Sequence, residues 1–293
     1  MKKHIIKLSI VLFASSLFLQ SCLHDVRPKM LKRNGITTEN TLKGKQILDR
    51  VWKKQGGDKL EKHDVYSFQG FDTWKKNRFG KIGKLWPDFE TTLEFKFQVD
   101  TLDGQLIFLD GERKGTIAGI YNSNYYEIKN GKTEFQDRTA KSNRRAVFGL
   151  SHIQYFFELL GRLRQAPIIS YAGQKEFNGN QYDLVFCTWG KPKPHLAHDQ
   201  YLLWINKKTG LLDYSEYSVR EPHVKPPGYK MIGGNIEYTD YREIDGVWIP
   251  HDQIVYPIKK KTNQDKFVHR LKISDFQFDS FNVNELKPTE KGK

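Results

Sequence analysis

Tyr201-Leu-Leu-Trp-Ile-Asn-Lys-Lys-Thr-Gly-Leu-Leu212 and, further on, Asp240-Tyr-Arg-Glu-Ile-Asp-Gly-Val-Trp-Ile-Pro250 decide how this chain is read. In the first, Tyr201, Leu203 and Ile205 recur with the period of a strand, and Thr209-Gly210 supplies a turn. In the second, two β-rich runs flank Asp245-Gly246, a pair suited to a two-residue hairpin loop. The same punctuation recurs at Asp103-Gly104, Asp110-Gly111, Asn130-Gly131 and Asn178-Gly179, which predicts an antiparallel meander. Leu93, Phe95, Phe97 and Val99 alternate with Glu94, Lys96 and Gln98, and Tyr182-Leu184-Phe186 repeats the pattern. Near the C-terminus Leu271 and Ile273 are followed by Phe276 and Phe278, so the apolar register slips by one residue. A β-bulge around Ser274-Asp275 would return both pairs to one face.

Helical periodicity is confined to two stretches. Leu42, Ile47, Leu48, Val51 and Trp52 predict one amphipathic helix with Thr41 as its N-cap and Gly56-Gly57 as its stop. Residues 151–164 predict a strongly apolar second helix, capped by Ser151 and stopped before Pro167. No βαβ rhythm is present, which argues against a parallel sheet. The expected class is therefore mainly β (α+β).

The N-terminus carries an address. Lys2, Lys3 and Lys7 precede an apolar run over residues 8–19, too short to span a bilayer and suited to a secretory signal over residues 1–21. That run ends in Leu19-Gln20-Ser21-Cys22, which resembles a bacterial lipobox and implies acylation of Cys22. Residues 22–40 are then a lipidated cysteine and tether, and residues 41–293 a single domain. The formal charge of +14 falls to +11 once the three lysines of the signal are removed, and its natural counterpart is a membrane surface. An exported chain has no routine access to nucleic acid, so none is expected as a partner.

The two long motifs resemble the paired strands of the outer-membrane lipoprotein carrier and receptor superfamily, the LolA/LolB-like proteins. The resemblance spans roughly residues 199–281 and implies a curved, incompletely closed antiparallel β-barrel covered by a few helices. It also implies a non-catalytic protein without cofactors that holds a lipid, acyl chain or other hydrophobic ligand in its concave face. The chain is rich in aromatic residues, with 19 Phe, 14 Tyr and 6 Trp. Among the strand residues, Phe95, Phe97, Phe186, Tyr201, Leu203, Trp204 and Trp248 are the expected lining, each equally able to serve as plain core.

Other chemistry is sparser. Two cysteines exclude a disulfide scaffold and a cysteine-only metal site. His195-x-x-His198 with Asp199 offers the ligand types of a zinc site and hence of a metal-dependent hydrolase, although Pro192 and Pro194 point to a loop; an envelope assembly subunit that holds a protein partner on the barrel's outer face is the other alternative. Cys187 reads as a buried small hydrophobe or a free thiol. Gly149-Leu150-Ser151-His152 lacks the second glycine of a nucleophile elbow. Lys259-Lys260-Lys261 reads as a hairpin tip, solvated or touching anionic headgroups.

Overall fold

The computed structural model describes residues 23–225, 229–257 and 266–288. The signal, Cys22 and the lysine run 259–261 lie outside the described residues. In chain order the strands are β1 (Val65–Trp74), β2 (Glu90–Gln98), β3 (Gly104–Phe108), β4 (Ile117–Tyr121), β5 (Asn124–Lys129), β6 (Lys132–Gln136), β7 (Ile168–Phe177), β8 (Asn180–Thr188), β9 (Gln200–Asn206), β10 (Leu212–Ser218), β11 (Gly233–Ile244), β12 (Val247–Pro257) and β13 (His269–Phe278). They form one sheet in the order β6-β5-β4-β3-β2-β1-β13-β12-β11-β10-β9-β8-β7. Neighbours are antiparallel throughout, and the sheet does not close into a barrel.

Because β6 and β7 are consecutive in the chain but occupy opposite edges, the segment between them has to cross one face of the sheet. It does so as two helices, α5 (Arg144–Phe157) and α6 (Leu159–Arg164). Beside them lies α2 (Thr38–Lys54), followed by the short α3 (Gly57–Leu60); α1 (Lys29–Asn34) and α4 (Arg78–Gly83) complete the set. The helix predicted from residue 42 begins four residues sooner than that, with Thr37 rather than Thr41 as cap, its side chain accepting from the Asn40 backbone N–H. The apolar helix predicted over residues 151–164 starts at Arg144 and breaks at Glu158. Its first two turns were hidden because they hold Arg144 and Arg145 ahead of the apolar run. The short α4 was not foreseen at all.

The face crossed by α5 and α6 is called the inner face. Half of its core joins Tyr66, Phe68, Phe95, Phe97 and Phe276 of the strands to Ala146, Leu150 and Ile153 of α5. The other half joins Ile47, Leu48 and Val51 of α2 and Leu159, Leu160 and Leu163 of α6 to Val185, Cys187, Leu203 and Ile236. Each fully buried Leu, Ile or Phe contributes about 1.5–3 kcal/mol, so this cover is the main source of stability. The expected bulge is present: pairing of β1 with β13 shifts between Ser67/Gln277 and Gln69/Ser274, and Asp275 adopts φ +50°. Leu271, Ile273, Phe276 and Phe278 thereby share the inner core.

The outer face of β8–β10 is also covered. Val26 and Leu31 pack there with Tyr182, Leu184, Phe186, Leu202, Trp204 and Tyr214. Residues 23–34, expected as tether, are therefore part of the folded body, held because Val26 and Leu31 are apolar and the sheet beneath them is aromatic. The two ends of the sheet differ. One carries tight turns, including Asn178-Gly179 and Asp245-Gly246 with two consecutive positive φ values. The other carries the long connections β1–β2, β3–β4, β8–β9, β10–β11 and β12–β13.

Gly44 lets α2 lie directly on β7: a Cβ at that position would stand 2.5 Å from the Tyr171 amide nitrogen and 2.6 Å from the Ser170 carbonyl carbon. Gly44→Ala should lower stability by about 1–3 kcal/mol, as overpacked cores do, read as a lower urea midpoint at unchanged slope. An unchanged midpoint would show that α2 is not seated this closely.

Candidate functional site

The inner face offers the setting for a site. Near the tight-turn end, α5 and α6 meet at Glu158, a buried carboxylate that holds both helices to the sheet. Its Oε1 accepts hydrogen bonds from the Tyr66 hydroxyl (3.1 Å) and Gln154 Nε2 (3.0 Å). Oε2 accepts from the Arg162 guanidinium (2.6 Å). Gln154 also donates to the Gln98 carbonyl (2.7 Å) and Arg162 to the Thr101 carbonyl (2.5 Å). The helix break is thus pinned to β1 and to the β2–β3 turn. Burial pushes the Glu158 carboxyl above the ordinary range, while Arg162, Gln154 and Tyr66 hold it down.

Beside this junction a cavity of about 50 Å³ remains, lined by Trp52, Phe156, Phe157, Tyr238 and Trp248 among others, with Glu158 at its wall. Small-molecule sites run to roughly 300–1,000 Å³. Beneath α5 and α6 the inner face is therefore filled, and there an acyl chain gains room as those helices withdraw; a more open concavity of about 440 Å³ lies at α2, lined by Leu42, Ile47, Arg50 and Asp183 among others.

The expected lining residues divide between the two faces. Phe95 and Phe97 lie in the inner core beneath α5, Tyr201 against Tyr155 and Phe156 of α5, Leu203 in the half of the core covered by α6 and α2, and Trp248 at the cavity. Phe186 and Trp204 lie on the outer face, under Val26 and Leu31. Alternation could not separate them, because β8 from Tyr182 onward and all of β9 are buried on both faces. On β8 it is Val185 and Cys187 that face inward. Cys187 is wholly buried, and desolvation raises its thiol pKa, which suits a core residue and not a nucleophile.

The histidine-rich loop brings two of its three candidate ligands together and turns the third away. His195 and His198 are neighbours, with ring centroids 5.5 Å apart, and His195 Nε2 lies 3.0 Å from the Trp189 carbonyl oxygen. Asp199 turns to the protein instead, accepting from the Ser218 hydroxyl (3.1 Å) and the Arg220 backbone N–H (2.8 Å). Burial raises its pKa to about 6 against those hydrogen bonds. Among the described residues no group of three or more His, Cys, Asp or Glu is arranged to hold a metal ion.

Sequence reading missed a polar cluster at the loop end of the inner face. Asp72 is fully buried on β1, where its Oδ2 accepts from Trp86 Nε1 (3.1 Å) and pairs with His269 Nε2 (3.0 Å). His269 stacks on Trp74 at 4.2 Å. Nearby on α5, His152 is enclosed by Phe148 (4.5 Å), Phe156 (4.4 Å) and Tyr217 (5.8 Å), and His223 packs on Phe148 at 4.8 Å. The available signal was Asp72 standing at an inward position of an alternating strand.

No family model matches the chain, and no curated protein matches it in sequence. Solved structures do share its fold. A DUF1329 family protein from Desulfovibrio piger is 11% identical and superposes with a TM-score of 0.52 over 85% of this chain and 97% of that one. A LolA superfamily protein from Nitrosomonas europaea is 9% identical, with a TM-score of 0.50 over 84% and 97%. A domain assigned to outer membrane lipoprotein sorting from Vibrio parahaemolyticus is 14% identical, with a TM-score of 0.51 over 84% and 97%. The chain has the LolA/LolB-like fold that its strand motifs resemble.

The half-buried His152 and His223 give the loop end a pH response. Desolvation, reinforced by His269 and His223, lowers the His152 pKa to about 3; desolvation and Arg145 lower that of His223 to about 4. In the unfolded chain both protonate near 6.5. Their contribution to stability is therefore intact above pH 6.5 and declines as the pH falls towards 4 and then 3. His152→Phe retains the ring packing and removes one proton site, so its thermal midpoint should fall less steeply than that of the parent between pH 6.5 and 4. Parallel profiles would refute this assignment.

Proposed function

We propose that this chain is a non-catalytic lipoprotein of the bacterial cell envelope, tethered through acylated Cys22 to the outer membrane and facing the periplasm. It takes a lipid or other hydrophobic ligand between the inner face of its sheet and the α5–α6 crossing. One observation carries the reading: the inner face of an unclosed sheet is apolar over nearly its whole breadth and is covered by a helical connection, not by more sheet. Apolar side chains that meet helices can meet an acyl chain at the same cost in water exposure. The cavity at the α5–α6 break marks where that cover is thinnest. The polar cluster around Asp72 sits at the opposite end, where a ligand's polar group would remain near solvent.

The fold shared with a LolA superfamily protein and with a domain assigned to lipoprotein sorting supports this architecture for the role. The lipobox supports the address, and acyl chains at Cys22 supply roughly 0.8 kcal/mol per buried CH₂ for anchoring. The Asp199 carboxylate is committed to Ser218 and Arg220, which removes the third ligand from the hydrolase reading.

Gly161 on α6 borders the cavity, and a Cβ there would meet only Trp52 Nε1 at 3.9 Å. Gly161→Leu should fill the space and also gain the roughly 1 kcal/mol that glycine forfeits in a helix. The parent chain from Leu23 should bind a fluorescent fatty acid in a titration. The variant should bind it at least ten-fold more weakly while melting at a higher temperature. A parent that binds no probe, or a variant that binds it equally well, would overturn the reading.

A further inference from the structure

The loop end of the sheet carries a surface that neither the fold nor the ligand reading accounts for. From Thr73 to Pro87 the chain holds Lys75, Lys76, Arg78, Lys81 and Lys84 and no acidic residue. Within this stretch α4 presents Phe79 at 66% exposure and Ile82 at 39%. Single exposed apolar residues are ordinary on a protein surface. Here two of them share one short helix in a ring of cations, and among the described residues none of those cations is in an ion pair. By contrast Leu42 and Phe135, also exposed, stand close in sequence to Glu39 and Glu134.

The presentation is built and not incidental. Asn77 caps α4 by accepting from the Gly80 backbone N–H at 2.9 Å. Gly80 turns so tightly that a Cβ would collide with the Lys75 carbonyl oxygen. Leu85 and Trp86 are buried just behind the helix, and Arg145 of α5 donates to the Lys84 carbonyl. Lys75 lies over the Phe267 ring (4.4 Å), and Lys84 over Phe89 (4.6 Å), leaving Lys76, Arg78 and Lys81 exposed with Phe79 and Ile82. A rigid apolar pair ringed by cations matches an interface whose surface is anionic and whose interior is apolar.

The point at which the chain enters the fold agrees. His24 gives its carbonyl to Arg220 (2.7 Å), and the Val26 backbone N–H donates to Gln200 (3.3 Å), whose own amide donates to Pro192 (2.8 Å). Arg220 and Pro192 belong to the β10–β11 and β8–β9 loops, which share the end of the sheet occupied by α4. His24, two positions after Cys22 in the sequence, is therefore tied to this same end. Met231 in the β10–β11 loop adds a further apolar side chain there, 55% exposed.

We infer that α4 and its cations are a membrane-docking surface, which sets the loop end of the sheet flat against an anionic phospholipid leaflet with Phe79 and Ile82 inserted at headgroup level. The mouth of the inner face then opens towards the bilayer. This inference extends the envelope reading but does not depend on the inner face taking a ligand.

The test uses the chain from Leu23, which carries all thirteen strands and their covering helices but no lipid anchor. It should sediment with phosphatidylglycerol-containing vesicles, release at high salt, and bind pure phosphatidylcholine vesicles far more weakly. Each Lys or Arg near an anionic surface is worth about a five-fold change in partitioning, so the triple variant Lys76→Gln, Arg78→Gln, Lys81→Gln should lose about a hundred-fold. Phe79→Ser with Ile82→Ser should weaken binding at least ten-fold, whereas Phe135→Ser on the edge strand β6 should leave it unchanged. Since Cys187 is buried, Phe79→Cys provides one accessible thiol, and an environment-sensitive dye there should shift to the blue on the anionic vesicles. Equal binding to both vesicle types, no binding to either, undiminished binding by the α4 variants, or an unshifted dye would overturn the inference. The fatty-acid titration, repeated on the α4 variants, should be unaltered, which separates failure here from failure of the ligand reading.

Discussion

An open sheet whose edge strands are consecutive in the chain must be bridged across its own face, and that constraint organises the rest of this molecule. The bridge from β6 to β7 has to be long enough to cross the breadth of the inner face and apolar enough to lie on it. A helix running lengthwise meets both needs, since it satisfies its own backbone hydrogen bonds while burying side chains on the sheet. The cost falls at the reversal between α5 and α6, where Glu158 is taken out of water. Tyr66, Gln154 and Arg162 meet its oxygens, and the Gln98 and Thr101 carbonyls accept a further hydrogen bond from Gln154 and Arg162. Removing one partner from such a buried set typically costs several kcal/mol, so the network fixes where the bridge turns even where its net contribution is small.

The same topology sorts the molecule into two ends. Short connections of about two to five residues close one end and leave little surface for chemistry. The long connections gather at the other, together with the Asp72–His269–Trp86 cluster, the cationic α4 and the entry of the chain at His24. Under the proposed acylation of Cys22, this is the end that would face the anchoring membrane. The inner face and its helical cover run from this loop end to the tight-turn end, so the proposed docking surface and the proposed ligand site adjoin.

How much of this was legible residue by residue follows from what is local. The bulge at Asp275 could be placed because two apolar pairs of opposite parity, Leu271/Ile273 and Phe276/Phe278, cannot share a face without an extra residue. The hairpin at Asp245-Gly246 could be placed because positive φ at both positions suits few residues. Helix α5 was read short because its first turns, Arg144 and Arg145, reach the rim and break the apolar period. Phe186 and Trp204 were assigned to the lining because period two names two faces without saying which one the helices cover.

The sequence by itself determined the antiparallel meander, the bulge, the all but helix-free strand region and the apolar character of the bridge, because each rests on backbone preferences or on spacing within about ten residues. Only the tertiary structure decided that the N-terminal segment packs on the outer face of β8–β10. It alone brought Asp72 to His269, Glu158 to Tyr66, and α4 to the same end as the chain's entry. These pairings join residues separated by about ninety to two hundred positions, and what selects them is which surfaces remain to be covered once the sheet has formed.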